Sequence, residues 1–340
     1  MILAADIGGT KAVLAVCDVS EAAVPDAPDA APIRIVRETV YHCADFPSLE
    51  DILDQFVPRG GAHELAGACF GVAGPVAGST AKITNLPWTI EAASLSAQLG
   101  VPVRLLNDLQ ATALGALALP ASAFAVLQRG DGGRSGGAIA VLAPGTGLGE
   151  ALLVSDGAHY RALPSEGGHA DFAPGTEDEI ALLRYLRGLH GPHVSYERVL
   201  SGDGIGDLYG FVRAATGAEE PAWLTAAFAG HDRNAVISQA ALAGRDPSCV
   251  RALEMFVEVL GAEAGNLALK CLATGGVVIG GGIPPKILTA LREPRFIDRL
   301  TAKGRFTAWA KDLFVRVTLE PRAALFGAAH HAATHKDARP

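Results

Sequence analysis

Charged residues are scarce in this chain, and those present have a negative excess. Only 19% of the 340 residues are charged, and the formal net charge is −8 at pH 7. No block of lysines and arginines occurs, so the chain as a whole repels a polyanion, although a local basic site is compatible with this balance. Composition gives no electrostatic reason for binding nucleic acid, and we expect no nucleic-acid partner.

Paired cysteines, an export signal and a long apolar run are missing as well. The five cysteines are scattered and none forms a C-x-x-C pair, which is typical of free thiols in a reducing cytosol. The N-terminus, Met1-Ile-Leu-Ala-Ala-Asp6, lacks the basic region and long apolar core of an export signal. The uncharged stretch 111–127 is marginal in length for a bilayer and is broken by Pro120. We expect a cytoplasmic protein with no membrane partner.

Glycine and apolar residues are abundant instead. The chain has 40 glycines and 49% apolar residues, which indicates a compact α/β protein with about two domains.

Local patterns predict further loops and helices. Residues 21–32 and 84–88 are interpreted as loops, and the second loop either lines a polar pocket or packs as a surface turn. Helices are predicted at 90–99 and at 323–333, the latter interrupted by Gly327.

An Asn-Asp pair marks the junction of a strand and a helix. The apolar run 103–106 predicts a strand, and the Ala/Leu-rich run 109–119 predicts a helix. Asn107 and Asp108 therefore fall at the carboxyl end of a strand, where open α/β sheets bind their ligands. The simpler interpretation is that one of these side chains caps the helix, and on this stretch alone the cap is favoured about two to one.

Two segments share the plan of apolar strand, Gly/Thr turn and apolar strand. The first turn follows Asp6 and the second follows Pro144, and this internal repeat indicates two related halves. Such turns can cradle phosphates with backbone amides, and Asp6 can hold a hydrated magnesium ion. Ordinary glycine hairpins are the alternative, and neither segment has the Walker pattern. The candidate phosphate-binding residues are Gly8, Gly9, Thr10, Lys11, Gly145, Thr146 and Gly147.

Acidic residues and a histidine cluster in a later loop. Glu166, His169 and Asp171 lie among turn-forming residues, and Glu197 follows a predicted helix. No further His or Cys stands at metal-ligand spacing, so hydrogen bonding to a polyhydroxylated ligand fits better than a metal site. Glu197 can equally be a surface charge paired with Arg198.

Three consecutive glycines, Gly280, Gly281 and Gly282, follow the strand pattern 275–279 and precede Ile283-Pro-Pro285. Such a turn lets the backbone pass close to a flat or bulky ligand such as adenosine. A crowded turn in the core is the alternative interpretation.

Together, six segments resemble the bacterial glucokinase family, within the sugar kinase, actin and heat-shock chaperone ATPase fold. They occur in the family's order and are Asp6-Ile-Gly-Gly-Thr10, Leu106-Asn-Asp108, Gly145-Thr-Gly-Leu-Gly149, Leu163-Pro-Ser-Glu-Gly-Gly-His169, Glu197-Arg-Val-Leu-Ser-Gly202 and Gly280-Gly-Gly-Ile283. The resemblance covers nearly the whole chain. It implies a two-lobed, ribonuclease-H-like (actin-like ATPase) α/β fold with a mixed sheet and flanking helices in each lobe and the active site in the cleft between lobes. We expect a small domain at 1–108 plus 322–340 and a large domain at 109–321.

The resemblance also implies an activity, namely ATP-dependent phosphorylation of the 6-hydroxyl of glucose. By this likeness Asp108 is the general base, and Asn107, Glu166, His169 and Glu197 are buried polar groups that hydrogen-bond the sugar. Asp6 and the glycine turns would handle Mg²⁺ and the phosphates of ATP, and a homodimer is favoured. Related kinases of the ROK family have a cysteine-rich zinc motif after the sugar-binding histidine. Because 170–174 contains no cysteine, we expect no structural zinc.

Three alternatives stay open at the level of sequence. A kinase for fructose, mannose or an N-acetyl amino sugar can use the same base and phosphate turns. A catalytically silent sugar sensor is a second alternative, although no helix-turn-helix precedes Met1 and Asp108 is present. An ATPase without a small-molecule acceptor is the third, and it leaves the Glu166, His169 and Glu197 cluster unexplained.

Overall fold

The computed structural model describes residues 1–19, 33–57, 64–83, 86–130, 133–157 and 159–335. The interpretations of residues 21–32 and of Thr84 and Asn85 lie outside this part of the chain. Contacts divide the chain into two compact units. The first comprises Met1–Phe124, Leu153–Pro164 and Glu320–Pro340, and the second comprises Ala125–Leu152 and Ser165–Leu319.

Both units contain strands and helices. The strands are β1 (Ile2–Ile7), β2 (Lys11–Asp18), β3 (Arg34–His42), β4 (Gly67–Val72), β5 (Val76–Ala77), β6 (Thr80–Lys82), β7 (Thr89–Glu91), β8 (Val103–Asn107), β9 (Phe124–Gln128), β10 (Ile139–Pro144), β11 (Leu148–Ser155), β12 (Tyr160–Ser165), β13 (Gly276–Ile279) and β14 (Val315–Thr318). The helices are α1 (Leu49–Phe56), α2 (Ala92–Leu99), α3 (Asp108–Ala118), α4 (Glu177–His190), α5 (Gly202–Thr216), α6 (Ala222–Gly230), α7 (Arg233–Leu242), α8 (Pro247–Cys271), α9 (Leu288–Leu291), α10 (Pro294–Thr301), α11 (Thr307–Lys311) and α12 (Ala323–Thr334).

The main sheet of the first unit has the strand order β3-β2-β1-β4-β8. β1 pairs antiparallel with β2 and parallel with β4, and β4 pairs parallel with β8. In this register Ile7 lies opposite Val72, and Val72 lies opposite Asn107. The carboxyl ends of β1, β4 and β8 therefore meet at one edge of the sheet.

Helices α3 and α12 pack closely in the first unit because each has a glycine at the contact. A Cβ on Gly115 would overlap the carbonyl oxygen of Ala323, and a Cβ on Gly327 would overlap that of Ala111. The predicted interruption of α12 at Gly327 is therefore wrong: the helix is continuous, and the glycine permits close packing.

The division of the chain by contacts places α3 in the first unit. The predicted domains, 1–108 with 322–340 and 109–321, stay a prediction.

In the second unit, β10 pairs parallel with β13, and β13 pairs parallel with β14. Within this unit the neighbouring strands follow the order β11-β10-β13-β14-β9, with β11 taken up to Leu152. Leu142 lies opposite Ile279, so the turns after β10 and β13 begin at the same edge. The long helix α8 is capped by Asp246 and buries most of its apolar residues in this unit.

The structure confirms most of the predicted elements near the site. The strand predicted at 103–106 extends to Asn107, and the helix predicted at 109–119 begins at Asp108. The helix predicted at 90–99 is shorter, because Ile90 lies in β7, where it pairs with Ala81. Within the described residues, no helix has both the length and the apolar character needed to cross a membrane.

Candidate active site

Asn107 caps α3, as the simpler interpretation of the Asn-Asp pair predicts. Its Oδ1 accepts a hydrogen bond from Leu109 N at 2.8 Å, and Gln110 Oε1 accepts one from Asn107 N at 3.2 Å. This reciprocal arrangement is a capping box. Asn107 Nδ2 also donates to Gly74 O at 3.3 Å. The cap fixes the end of β8, so it also determines where the next residue, Asp108, is placed.

Asp108 is the first residue of α3 and lies near Asp6. Its Oδ1 accepts a hydrogen bond from Leu109 N at 2.8 Å. Burial raises the pKa of Asp6 from 3.8 to about 6, and the negative charge of Asp108 adds to the increase. A divalent cation would reverse the repulsion between such carboxylates. The carboxylate of Asp6 therefore fits a magnesium ion. Asp6 and Asp108 share the edge where β1, β4 and β8 end.

Gly71, which sequence reasoning missed, allows α3 to approach the sheet. A Cβ on Gly71 would lie 2.9 Å from Ala111 Cβ and 3.9 Å from Asp108 Cα. The signal in the sequence was a glycine inside a buried strand, which often marks close backbone approach. Gly71 thus helps to place Asp108.

The turn between β1 and β2 is short and ordered. Gly8 N donates to Lys11 O at 2.9 Å, while Cys43 N donates to Thr10 O at 2.9 Å. Thr10 and Lys11 are exposed, and Gly8 and Gly9 are half-buried. The predicted hairpin is confirmed, and its exposed face is available to an anion.

The glycine turns after β10 and β13 lie side by side in the second unit. Gly145 N donates to Gly147 O at 2.8 Å, and Gly280 N donates to Leu142 O at 2.7 Å. A Cβ on Gly145 would lie 3.9 Å from Gly282 N. Gly281 has a φ of 84°, and a Cβ there would overlap Pro144 O. The structure therefore brings 145–147 and 280–282 together, as expected if both contact one ligand.

Glu166, His169 and Glu197 also come together in the second unit. His169 Nε2 lies 3.8 Å from Glu166 Oε2, and His169 Nδ1 lies 3.9 Å from Glu197 Oε1. Leu148 N donates to Glu197 Oε2 at 3.0 Å, so Glu197 joins this cluster to the 145–147 turn. Asp171 instead pairs with His193, with Nδ1 and Oδ1 2.9 Å apart.

The sequence predicted that the sugar-binding candidates are all buried, and this prediction is wrong for Glu166 and His169. The side chain of Glu166 is 90% exposed and that of His169 is 59% exposed, whereas that of Glu197 is 32% exposed. A short 3-10 turn, Gly167–His169, accounts for the difference, because its glycine backbone packs inward and leaves no room for a Cβ on Gly168 beside Leu148 O. The side chains at its two ends project outward.

Sequence reasoning missed a second residue beside this turn, Glu150. It is 1% exposed, and its carboxylate has no hydrogen-bond partner among the described residues. The signal was a single acidic residue within the apolar strand β11, on the same face as the buried Leu148. A buried, unpartnered carboxyl next to a polar cluster calls for a physical explanation.

Comparisons with known proteins give full-length matches. The glucokinase family model matches residues 3–335. A glucokinase from Nostoc punctiforme is 39% identical over 97% of this chain and 98% of its own length. The crystal structure of a glucokinase from an Antarctic psychrotroph has a TM-score of 0.86 and 33% identity and covers 98% of both chains.

A more distant structure has the same fold. A ROK family glucokinase from Streptomyces griseus, solved in complex with glucose and AMPPNP, has a TM-score of 0.62 and 24% identity and covers 98% of this chain and 99% of its own. These structures confirm the predicted α/β fold of the sugar kinase and actin-like ATPase class.

Proposed function

The chain belongs to the glucokinase family, and from this premise we propose that it transfers the γ-phosphoryl group of ATP to the 6-hydroxyl of glucose. The observation that carries the proposal is the position of Asp108, at the carboxyl edge of the sheet and beside Asp6. Ligands of open α/β sheets bind at this edge. The motifs come together within each unit: Asp6 lies near Asp108 in the first, and in the second the 145–147 turn lies beside 280–282 and near the Glu166, His169 and Glu197 cluster.

Asp108 serves as the general base. It lies in the first turn of α3, where the free amides of the helix stabilise a negative charge. The carboxylate accepts the proton of the 6-hydroxyl as that oxygen attacks the γ-phosphorus, and the oxygen–phosphorus bond to ADP breaks. The capping box of Asn107 holds the base in place.

Glu166, His169, Glu197 and Asn107 bind the sugar hydroxyls. His169 lies between the two carboxylates at distances longer than a hydrogen bond, so these groups have capacity for hydroxyl partners. One oxygen of Glu197 is held by Leu148 N, which fixes the orientation of the other. A sugar with a misplaced hydroxyl would leave such a group unpaired, and this penalty gives selectivity for glucose over other hexoses.

The glycine turns bind ATP. The residues Gly8 to Lys11 and Gly145 to Gly147 contact the phosphates through backbone amides and the hydroxyls of Thr10 and Thr146. The turn at 280–282 contacts the nucleoside, where the absence of side chains permits close approach. Asp6 would hold Mg²⁺ through its water shell, and the ion neutralises phosphate charge when bound. The cytoplasmic location and the homodimer stay predictions, the latter testable by mass in solution.

Asp108→Asn tests this proposal directly. Asparagine keeps the size of the side chain and can still accept the hydrogen bond from Leu109 N, but it cannot take a proton. We expect turnover with glucose and ATP to fall by about 10²- to 10⁴-fold, the usual contribution of a general base, with glucose affinity changed much less. The exposed Asp45→Asn of the same unit is the matched control. Near-normal turnover of Asp108→Asn would exclude Asp108 as the base.

Two other functions make different predictions. A kinase for another hexose would show the same loss in Asp108→Asn but with its own sugar. A silent sensor would bind sugar with no turnover even in the wild-type chain. Asp108 and the paired turns favour the kinase over the sensor.

A further inference from the structure

Glu150 is a buried acid with no function in the mechanism above. It lies near the start of β11 and is 1% exposed, and neither carboxyl oxygen has a hydrogen-bond partner among the described residues. Leaving an ionised carboxylate unpaired inside a protein is costly, so such a group is retained as the neutral acid or finds donors by rearrangement.

The charges around Glu150 favour the neutral acid. Glu263 on α8 is fully buried, and its oxygens accept hydrogen bonds from Lys270 Nζ at 3.2 Å and Asn266 Nδ2 at 3.0 Å. Glu263 therefore has hydrogen-bond donors, whereas Glu150 has none among the described residues. Burial, and next the negative charge of Glu263, raise the pKa of Glu150 to about 7, although Lys270 opposes the increase.

Glu150 lies directly beneath the turn that presents Glu166 and His169. A Cβ on Gly167 would overlap Glu150 Oε2, so the carboxyl occupies the space where any other residue would have its side chain. Gly167 N donates instead to Ser165 Oγ at 2.9 Å. Two residues earlier in β11, Leu148 N holds Glu197. The same strand thus contacts both parts of the proposed sugar site.

We propose that Glu150 is a positioning residue for glucose binding: as a neutral acid it fills the space under Gly167 and holds the turn in its binding conformation, and its ionisation displaces the turn. This inference rests on the proposed function and deepens it, because it adds a residue that controls sugar affinity without touching the sugar.

Ionisation of Glu150 would disturb the turn because a buried carboxylate anion needs hydrogen-bond donors. An anion at Glu150 would face the Glu263 carboxylate and find no donor, so water must enter or the amides of the turn must reorient. Either change moves Glu166 and His169, which flank Gly167 and Gly168. The titratable groups on the surrounding elements are Glu166, His169, Tyr196, Glu197, Glu263 and Lys270.

The pH dependence of glucose affinity, measured by calorimetry on the full chain, tests the inference. If only the neutral form holds the turn, the wild-type Kd for glucose rises roughly tenfold between pH 6 and pH 8. Glu150→Gln has the same shape but cannot ionise, so its Kd should change much less over the same range. Because His169 and the other groups are present in both chains, the difference between the two profiles isolates Glu150.

A second variant tests the contact itself. Gly167→Ala places a methyl group against Glu150 Oε2, and we expect it to weaken glucose binding at pH 6 as well as at pH 8. Gly188→Ala in α4 is the matched control, because a Cβ there has no neighbour within 4 Å. These two variants keep the inference falsifiable if Glu150→Gln fails to fold.

Two results of the pH series would overturn the inference and leave the proposed function intact: a wild-type Kd for glucose that is independent of pH from 6 to 8, or a Glu150→Gln profile parallel to that of the wild type. Glucose affinity of Gly167→Ala equal to that of Gly188→Ala would also overturn it. Failure of the wild-type chain to bind glucose at every pH would instead overturn the proposed function, and this inference with it.

Discussion

Asp6 shows, at the scale of single residues, how removing a carboxylate from solvent beside a second one lowers stability. Its carboxylate is partly buried near a second carboxylate, and its pKa is raised from 3.8 to about 6. The folded chain therefore binds a proton more tightly than the unfolded chain does. By linkage, this contribution to stability is full below pH 4 and is lost as the pH rises through 6.

Asp6→Asn should accordingly separate stability from activity. Removing the ionisable group should raise the free energy of unfolding relative to wild type by up to roughly 3 kcal/mol above pH 6, with a progressively smaller gain toward pH 4. Phosphoryl transfer should slow, because Asp6 is proposed to hold Mg²⁺. Denaturant unfolding at pH 4 and pH 8 measures the gain, with Asp45→Asn as control. A gain that does not depend on pH would show that the buried charge of Asp6 is not its cause.

Glu166 makes a second prediction at this scale. Because its side chain is 90% exposed and its nearest partner, His169, is 3.8 Å away, Glu166→Gln should leave the unfolding midpoint unchanged. The KM for glucose should rise about tenfold, equal to about 1.4 kcal/mol, and preference among hexoses should relax. The exposed Glu219→Gln provides the comparison. Unchanged KM and unchanged preference would place Glu166 outside the sugar site.

At the scale of elements, local patterns predicted the parts of the site well. The strand before Asn107, the helix after it and the two glycine hairpins follow from apolar runs and turn residues, which act over a few positions. Sequence patterns predicted the wrong structure where contacts between positions far apart in the chain determine it. Ile90 is in a strand because it pairs with Ala81, and Gly327 belongs to a continuous helix because it faces Ala111. The neighbours of Glu150 likewise come from elements far along the chain.

The turn after β13 allows a test at this scale. A Cβ on Gly282 meets nothing within 4 Å, and its φ lies outside the left-handed region. Gly282→Ala should therefore keep the stability of the free protein, whereas Gly281→Ala should lower it because of its φ of 84° and the contact with Pro144.

If the nucleoside lies against this turn, Gly282→Ala should raise the KM for ATP about tenfold, equal to about 1.4 kcal/mol, and leave the KM for glucose unchanged. Steady-state kinetics with each substrate varied in turn gives both values, and Gly188→Ala is the control. A normal KM for ATP in Gly282→Ala would show that the ligand does not approach this glycine.

At the scale of the whole molecule, six short motifs in order were enough to predict the family, and the full-length matches confirm it. They were enough because each motif carries a chemical requirement, such as a base at a strand end or glycines at a phosphate. The exposure of the Glu166 and His169 side chains was not predictable, because it follows from a turn whose packing the motif does not specify.

The most direct test of the proposed function is ATP consumption by the wild-type chain with and without a panel of sugars. The panel should contain glucose, fructose, mannose, N-acetylglucosamine and 6-deoxyglucose, which lacks the acceptor hydroxyl. We predict that ATP is consumed with glucose, giving glucose 6-phosphate, and that consumption is at background without sugar or with 6-deoxyglucose. Consumption that is independent of sugar, or no consumption with glucose, would contradict the proposed function.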